Sequence, residues 1–60
     1  MNENFYTGGN EYFIKYENGT HVIKRVDDKE NKIVFQGSYD KCLEEKSSLY
    51  EENMDYDLNL

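Results

Sequence analysis

Three short apolar-rich runs, each bounded by polar turn-forming residues, dominate the first two thirds of this chain. They are Glu11–Tyr16, Thr20–Val26 and Lys32–Gln36. All are rich in Tyr, Phe, Ile and Val, which fit a pleated, half-buried surface, so each predicts a β-strand. Asn18-Gly19 stands between the first two. An Asn-Gly pair between such runs signals a hairpin, because a type I′ turn needs positive φ at both central residues. A two-residue loop pairs Tyr16 with His21, Ile14 with Ile23 and Tyr12 with Arg25. Tyr12, Ile14, Tyr16, His21 and Ile23 then share one face, and Phe13, Lys15, Val22, Lys24 and Val26 the other. A three-residue loop with Gly19 in a bulge is the alternative, and it would exchange some of these faces. Asp27–Asn31 reads as a charged turn. The third run puts Ile33 and Phe35 on one face and Val34 on the other.

After Gly37 the period lengthens. Tyr39, Cys42, Leu43, Lys46, Leu49 and Tyr50 recur at helical spacing, opposite a face of Glu44, Glu45, Ser48, Glu51 and Glu52. Ser38 is an N-cap residue type, Asp40 suits the positive end of the helix dipole, and Asn53 suits a C-cap. Beyond Asn53, Met54, Tyr56, Leu58 and Leu60 alternate with Asp55, Asp57 and Asn59. Period two predicts an extended strand. It would join the sheet as a fourth strand, or pair with the sheet of a second copy. Residues 1–10 are polar and read as a flexible lead-in, from which Phe5 and Tyr6 can dock back as a clasp. The expected fold is therefore α+β: one small domain over residues 11–60, a three-stranded antiparallel meander followed by one amphipathic helix, with a C-terminal fourth strand in prospect. Its expected core is Ile14, Ile23, Ile33, Phe35, Cys42, Leu43 and Leu49, bordered by Tyr12, Tyr16, Tyr39 and Tyr50.

Composition narrows the functional classes. Sixty residues give at most one domain, and a chain this short buries only about 60% of its unfolded surface. A single cysteine, Cys42, excludes an internal disulfide. The absence of a basic, apolar leader and the free thiol point to a cytoplasmic setting. Thirteen acids against seven bases leave a net charge of −6, which disfavours direct binding to nucleic acid or to anionic membranes and favours a protein with a basic surface. The charge is polarised. Residues 12–36 carry five bases and four acids, whereas residues 37–60 carry seven acids and two bases.

No catalytic constellation emerges. Cys42 falls on the apolar stripe of the helix and reads as a small buried hydrophobe. His21 beside the turn reads as a cross-strand partner of Tyr16. One His and one Cys cannot supply the three or four ligands of a metal site. Asp55-Tyr56-Asp57-Leu58-Asn59 opens like a calcium loop but lacks the glycine and the closing glutamate. No enzyme activity, cofactor or metal is expected. In being short, acidic, free of proline and rich in Asn, Lys, Glu and Tyr, the chain resembles small acidic proteins of bacteriophages. That resemblance implies an inhibitor or modulator that docks on a host protein, in some cases as a DNA mimic. Glu44, Glu45, Glu51, Glu52, Asp55, Tyr56 and Asp57 are the expected partner-binding residues. The alternative is an assembly protein that forms a homodimer through its last strand.

Overall fold

The computed structural model describes residues 3–59; Met1 and Asn2 of the expected lead-in and Leu60 of the expected tail strand lie outside the described residues. The described chain runs β1 (Glu3–Thr7), β2 (Asn10–Glu17), β3 (Thr20–Arg25), β4 (Ile33–Gly37), α1 (Tyr39–Glu52) and α2 (Met54–Leu58). The strands form one antiparallel sheet in the order β1-β2-β3-β4, so the fold is an α+β meander followed by two helices.

The β2–β3 hairpin follows from its turn. Asn18 and Gly19 take φ of 53° and 83°, as a two-residue loop of this hand requires. The register then pairs Tyr16 with His21, Ile14 with Ile23 and Tyr12 with Arg25. Asp28 organises the next connection: its carboxylate accepts the N–H groups of Glu30 at 3.0 Å and Lys32 at 3.2 Å. Ser38 caps α1 by accepting the Lys41 N–H at 3.2 Å. Asn53 closes α1 without left-handed backbone, since its φ is −104°. Its side-chain amide instead donates to the Leu49 carbonyl at 2.9 Å.

Three expectations are corrected. The lead-in over residues 1–10 contains a strand. Gly8 and Gly9 take φ of 61° and 79°, a second two-residue turn that folds β1 onto β2 and pairs Phe5 with Tyr12. Phe5 is 3% exposed and becomes a centre of the core, stacked on Tyr12 at 5.3 Å and met edge-on by Tyr50 at 5.9 Å. The Lys46 ammonium lies 5.4 Å from the centre of the same ring. Tyr6, the other half of the expected clasp, points to the opposite face and is exposed. Next, the fourth strand is this first segment and not the tail. Residues Met54–Leu58 are helical, which removes the strand pairing through which self-assembly was expected.

The core is the third correction. It comprises Phe5, Tyr12, Ile14, Ile23, Cys42 and Leu49, with Phe35 and Leu43 half-buried against it. Tyr12 belongs inside it and not at its border. Ile33 is outside, at 47% exposure. A β-bulge is the reason: Ile23 pairs with Phe35, but Lys24 pairs with Ile33, so Val34 is an extra residue in β4. One inserted residue moves Ile33 from the helix-covered face to the face of Lys24 and Val22. On that outer face Val22 is fully buried, and Lys24, 5% exposed, is held by the Glu17 carboxylate at 3.1 Å. Lys15 approaches the same carboxylate at 3.2 Å.

These contacts make two predictions about stability. Ile23→Ala should cost about 2–5 kcal/mol, most of the ~5 kcal/mol expected of so small a domain, whereas Ile33→Ala should cost well under 1 kcal/mol. Urea melts of both variants test the bulge; equal losses would contradict it. The second concerns pH. Hydrogen bonds from Lys24, then Lys15, hold the Glu17 carboxyl below its ordinary range. Because its folded-state value is lowered, Glu17 contributes fully above the ordinary glutamate range near pH 4, and the contribution fades as pH falls through the folded value. The stability difference between parent and Glu17→Gln should therefore be largest at neutral pH and shrink on acidification below about pH 4. A difference that stays constant across pH would show that the ion pair adds nothing.

Candidate functional site

The helix α1 carries the expected acidic residues on two neighbouring stripes. Glu44 and Glu51 are seven residues apart, as are Glu45 and Glu52, so each pair is aligned two turns apart, about 10 Å along the axis. Glu44, Glu51 and Glu52 are exposed; Glu45 is half-buried beside the core stripe. Asp40 extends the first stripe toward the start of the helix. One cation answers this face: Lys41 lies 3.7 Å from Glu44, a long surface pair of little energetic weight. No basic residue occupies the last turn of α1, and α2 adds Asp55 and Asp57 immediately beyond it.

Asp57 has a different task from its neighbours. Its Oδ2 accepts the Thr7 hydroxyl at 2.6 Å and its Oδ1 accepts the Gly8 N–H at 2.8 Å. Thr7 is 2% exposed, so this carboxylate satisfies a buried hydroxyl and a turn amide together. The β1–β2 turn is pressed against the helices on either side of that bond. A Cβ on Gly8 would lie 2.7 Å from the Asn53 side chain, and one on Gly9 would lie 2.7 Å from the Tyr56 hydroxyl. Thus Asp57 and Tyr56, expected at a partner interface, first bind α2 to the hairpin. Tyr56 remains half-exposed above the turn.

Beside this clasp lies a cleft of about 520 Å³, lined by Tyr6, Gly9, Asn10, Tyr50 and Asp57. It brings together β1, the first turn, the start of β2, α1 and α2. Tyr6 and Tyr50 are respectively 68% and 39% exposed, so both rings are accessible. The Tyr6 phenol is held protonated to higher pH than usual by its hydrogen bond with Glu11, its cross-strand partner. The sequence pattern assigns Tyr6 to a docking clasp and not to a site. The signal was there in Gly8-Gly9 flanked by Phe5-Tyr6-Thr7 and Glu11-Tyr12-Phe13, a second hairpin of the same kind as the first.

The remaining candidates take structural roles. Cys42 is fully buried, and burial pushes its thiol up, away from thiolate reactivity. His21 packs edge-on to Tyr16 at 5.2 Å and against Tyr39 at 5.3 Å. Tyr39 in turn donates a hydrogen bond to the Glu3 carboxylate, tying the start of α1 to β1. Asp55–Asn59 lies in α2 and the turn after it: Asp57 faces the hairpin, and Asn59 donates to the Asp55 carbonyl at 2.6 Å. Among the described residues no group of three His, Cys, Asp or Glu side chains is placed to hold a metal ion, and no helix is long and apolar enough to cross a membrane. The chain matches no protein-family model, no curated protein and no solved structure.

The clasp generates a graded prediction. Asp57→Ala should cost about 1–3 kcal/mol by leaving the Thr7 hydroxyl and Gly8 amide unpaired. Gly19→Ala should cost about 1 kcal/mol for positive φ alone, because nothing lies within 4 Å of the added carbon. Gly8→Ala should cost clearly more, since strain and the Asn53 contact act together. Thermal melts of the three variants measure the order; Gly8→Ala no worse than Gly19→Ala would separate the hairpin from the helices.

Proposed function

We propose that this chain is a non-enzymatic protein-binding module, an inhibitor or modulator that presents the acidic face of α1 and the start of α2 to a basic, nucleic-acid-binding site on a partner protein. The observation that carries the reading is the charge arrangement on a rigid support. Asp40, Glu44, Glu51, Glu52 and Asp55 are exposed along α1 and the start of α2, and Lys41 pairs loosely with Glu44. Carboxylates repeated along a capped helix resemble the phosphates that such a site would otherwise bind. Like-charged residues held side by side repel one another, by a few tenths of a kcal/mol per helical pair, and a basic partner relieves that repulsion. A field of one sign also speeds encounter with an opposite surface and discriminates against other acidic proteins.

The support matters as much as the charge. The inner stripe of α1, from Cys42 to Leu49, is fixed to the sheet, so the outward carboxylates keep their spacing when they meet a partner. Preorganisation of this kind lowers the ordering cost of binding. Asp57 faces the β1–β2 turn, where its oxygens accept bonds from Thr7 and Gly8, and so lies off the acidic face of α1.

Reversal of Glu44, Glu45, Glu51 and Glu52 to Lys tests the proposal. The variant should fold, since three of the four are exposed, and it should lose the partner that the parent captures from bacterial lysate at low salt. Capture by the parent should weaken steeply as salt rises. Undiminished capture of the same protein by the reversed variant, or capture indifferent to salt, would overturn the acidic-face reading.

A further inference from the structure

The cleft beside the clasp is lined by residues of different chemistry. Two of them are tyrosines, Tyr6 of β1 and Tyr50 of α1. Among the described residues its charged member is Asp57, and no Lys, Arg or His lines it. Gly9 contributes only backbone. Aromatic faces carry negative quadrupole potential, and a carboxylate next to them adds a full charge, so the combination selects a cation. The volume, about 520 Å³, falls within the range of ligand-sized sites.

The geometry of Asp57 specifies the cation further. Each of its two oxygens accepts one internal hydrogen bond, from Thr7 and from Gly8. A carboxylate oxygen has two acceptor positions, so one remains on each. A carboxylate with acceptor capacity left, among tyrosines, matches a guanidinium, which is planar, stacks on rings and donates through a two-pronged fork. An ammonium is compact, strongly hydrated and does neither. The fold already places one cation on this aromatic cluster, Lys46 over Phe5 on the inner side.

We infer that the cleft between Tyr6 and Tyr50 receives an arginine side chain of the partner protein, stacked on a tyrosine face and paired with the Asp57 carboxylate. The identity of the partner rests on the acidic-face reading; the chemistry of the cleft does not. The two features are complementary. Carboxylates along α1 supply long-range attraction without a fixed register. One inserted arginine, at a site built from four elements, supplies the register. Arginine and tyrosine are among the residues most often found to dominate interface energetics.

The test uses the full chain and N-acetyl-arginine amide as probe, followed by amide nuclear magnetic resonance. Saturable shifts should be confined to Tyr6, Gly9, Asn10, Tyr50 and Asp57, and the lysine counterpart should bind more weakly. Tyr6→Ala, a change at an exposed side chain, should weaken arginine binding about two- to five-fold, and Tyr6→Phe should restore it. Shifts that are absent, that spread along α1 instead, that are equal for lysine, or that persist undiminished in Tyr6→Ala would overturn the inference. The Glu44, Glu45, Glu51 and Glu52 reversal separates the two proposals. If it abolishes partner capture while the probe still shifts the cleft residues, both stand. If capture survives reversal but fails in Tyr6→Ala, the acidic face falls and the cleft remains. If reversal abolishes capture but the probe leaves the cleft unshifted, the cleft falls alone.

Discussion

One carboxylate joins parts of this chain that are 50 residues apart. Asp57 takes the hydroxyl of Thr7 and the amide of Gly8, and by doing so fixes α2 against the first hairpin. The consequences spread from there. The β1–β2 turn is held where only glycine fits against Asn53 and Tyr56. β1 stays on the sheet, and Phe5 stays in the core. Tyr6, on the other side of the same strand, is carried to the rim of the cleft. For a domain of sixty residues, short of apolar surface to bury, a single long-range polar contact of this kind weighs heavily against the entropy of an otherwise loose segment.

Aromatic packing supplies what aliphatic residues cannot. Phe5 is stacked by Tyr12, met by Tyr50 and covered by Lys46, so one ring organises two strands and a helix. Tyr16, His21, Tyr39 and Glu3 form a comparable run at the other end of the sheet. Such rings bury large area and still carry polar edges, which lets them close a core that is only one layer deep. The outer face of the sheet is closed differently. There the Lys24 ammonium is withdrawn from water and held by Glu17, beside fully buried Val22. A buried ion pair adds little net stability, but loss of either partner strands the other, so it constrains which residues the face accepts.

The division of charge follows from this architecture. The sheet is nearly neutral because its bases are used locally, against Glu17, Asp27 and Glu30. The helices keep their acids because their outward faces meet only water. The proposed docking face and the proposed arginine cleft thus meet at the α1–α2 junction, where Asn53 ends one helix and begins the next. In the two proposals the acidic face supplies range and the cleft supplies position.

Much of this was legible in the residues themselves. Asn18-Gly19 determined the hairpin but left two registers open, and the structure takes the two-residue loop, with positive φ at both positions. Ser38 and the spacing from Tyr39 to Tyr50 determined α1, its buried stripe and its acidic face. Other features were decided in three dimensions. Ile33 left the core because one bulged residue reverses the side of a strand, and nothing local marks the bulge. The strand-like alternation of Met54–Leu58 gave way to a helix, from which Asp57 accepts bonds from Thr7 and Gly8 across the fold. The cleft draws residues from four elements, so no stretch of sequence contains it. Local patterns specify turns, caps and faces, where the deciding contacts span a few residues. The sequence leaves open whatever is settled by which distant group completes a hydrogen bond or fills a core, and here that was the tail, the bulge and the cleft.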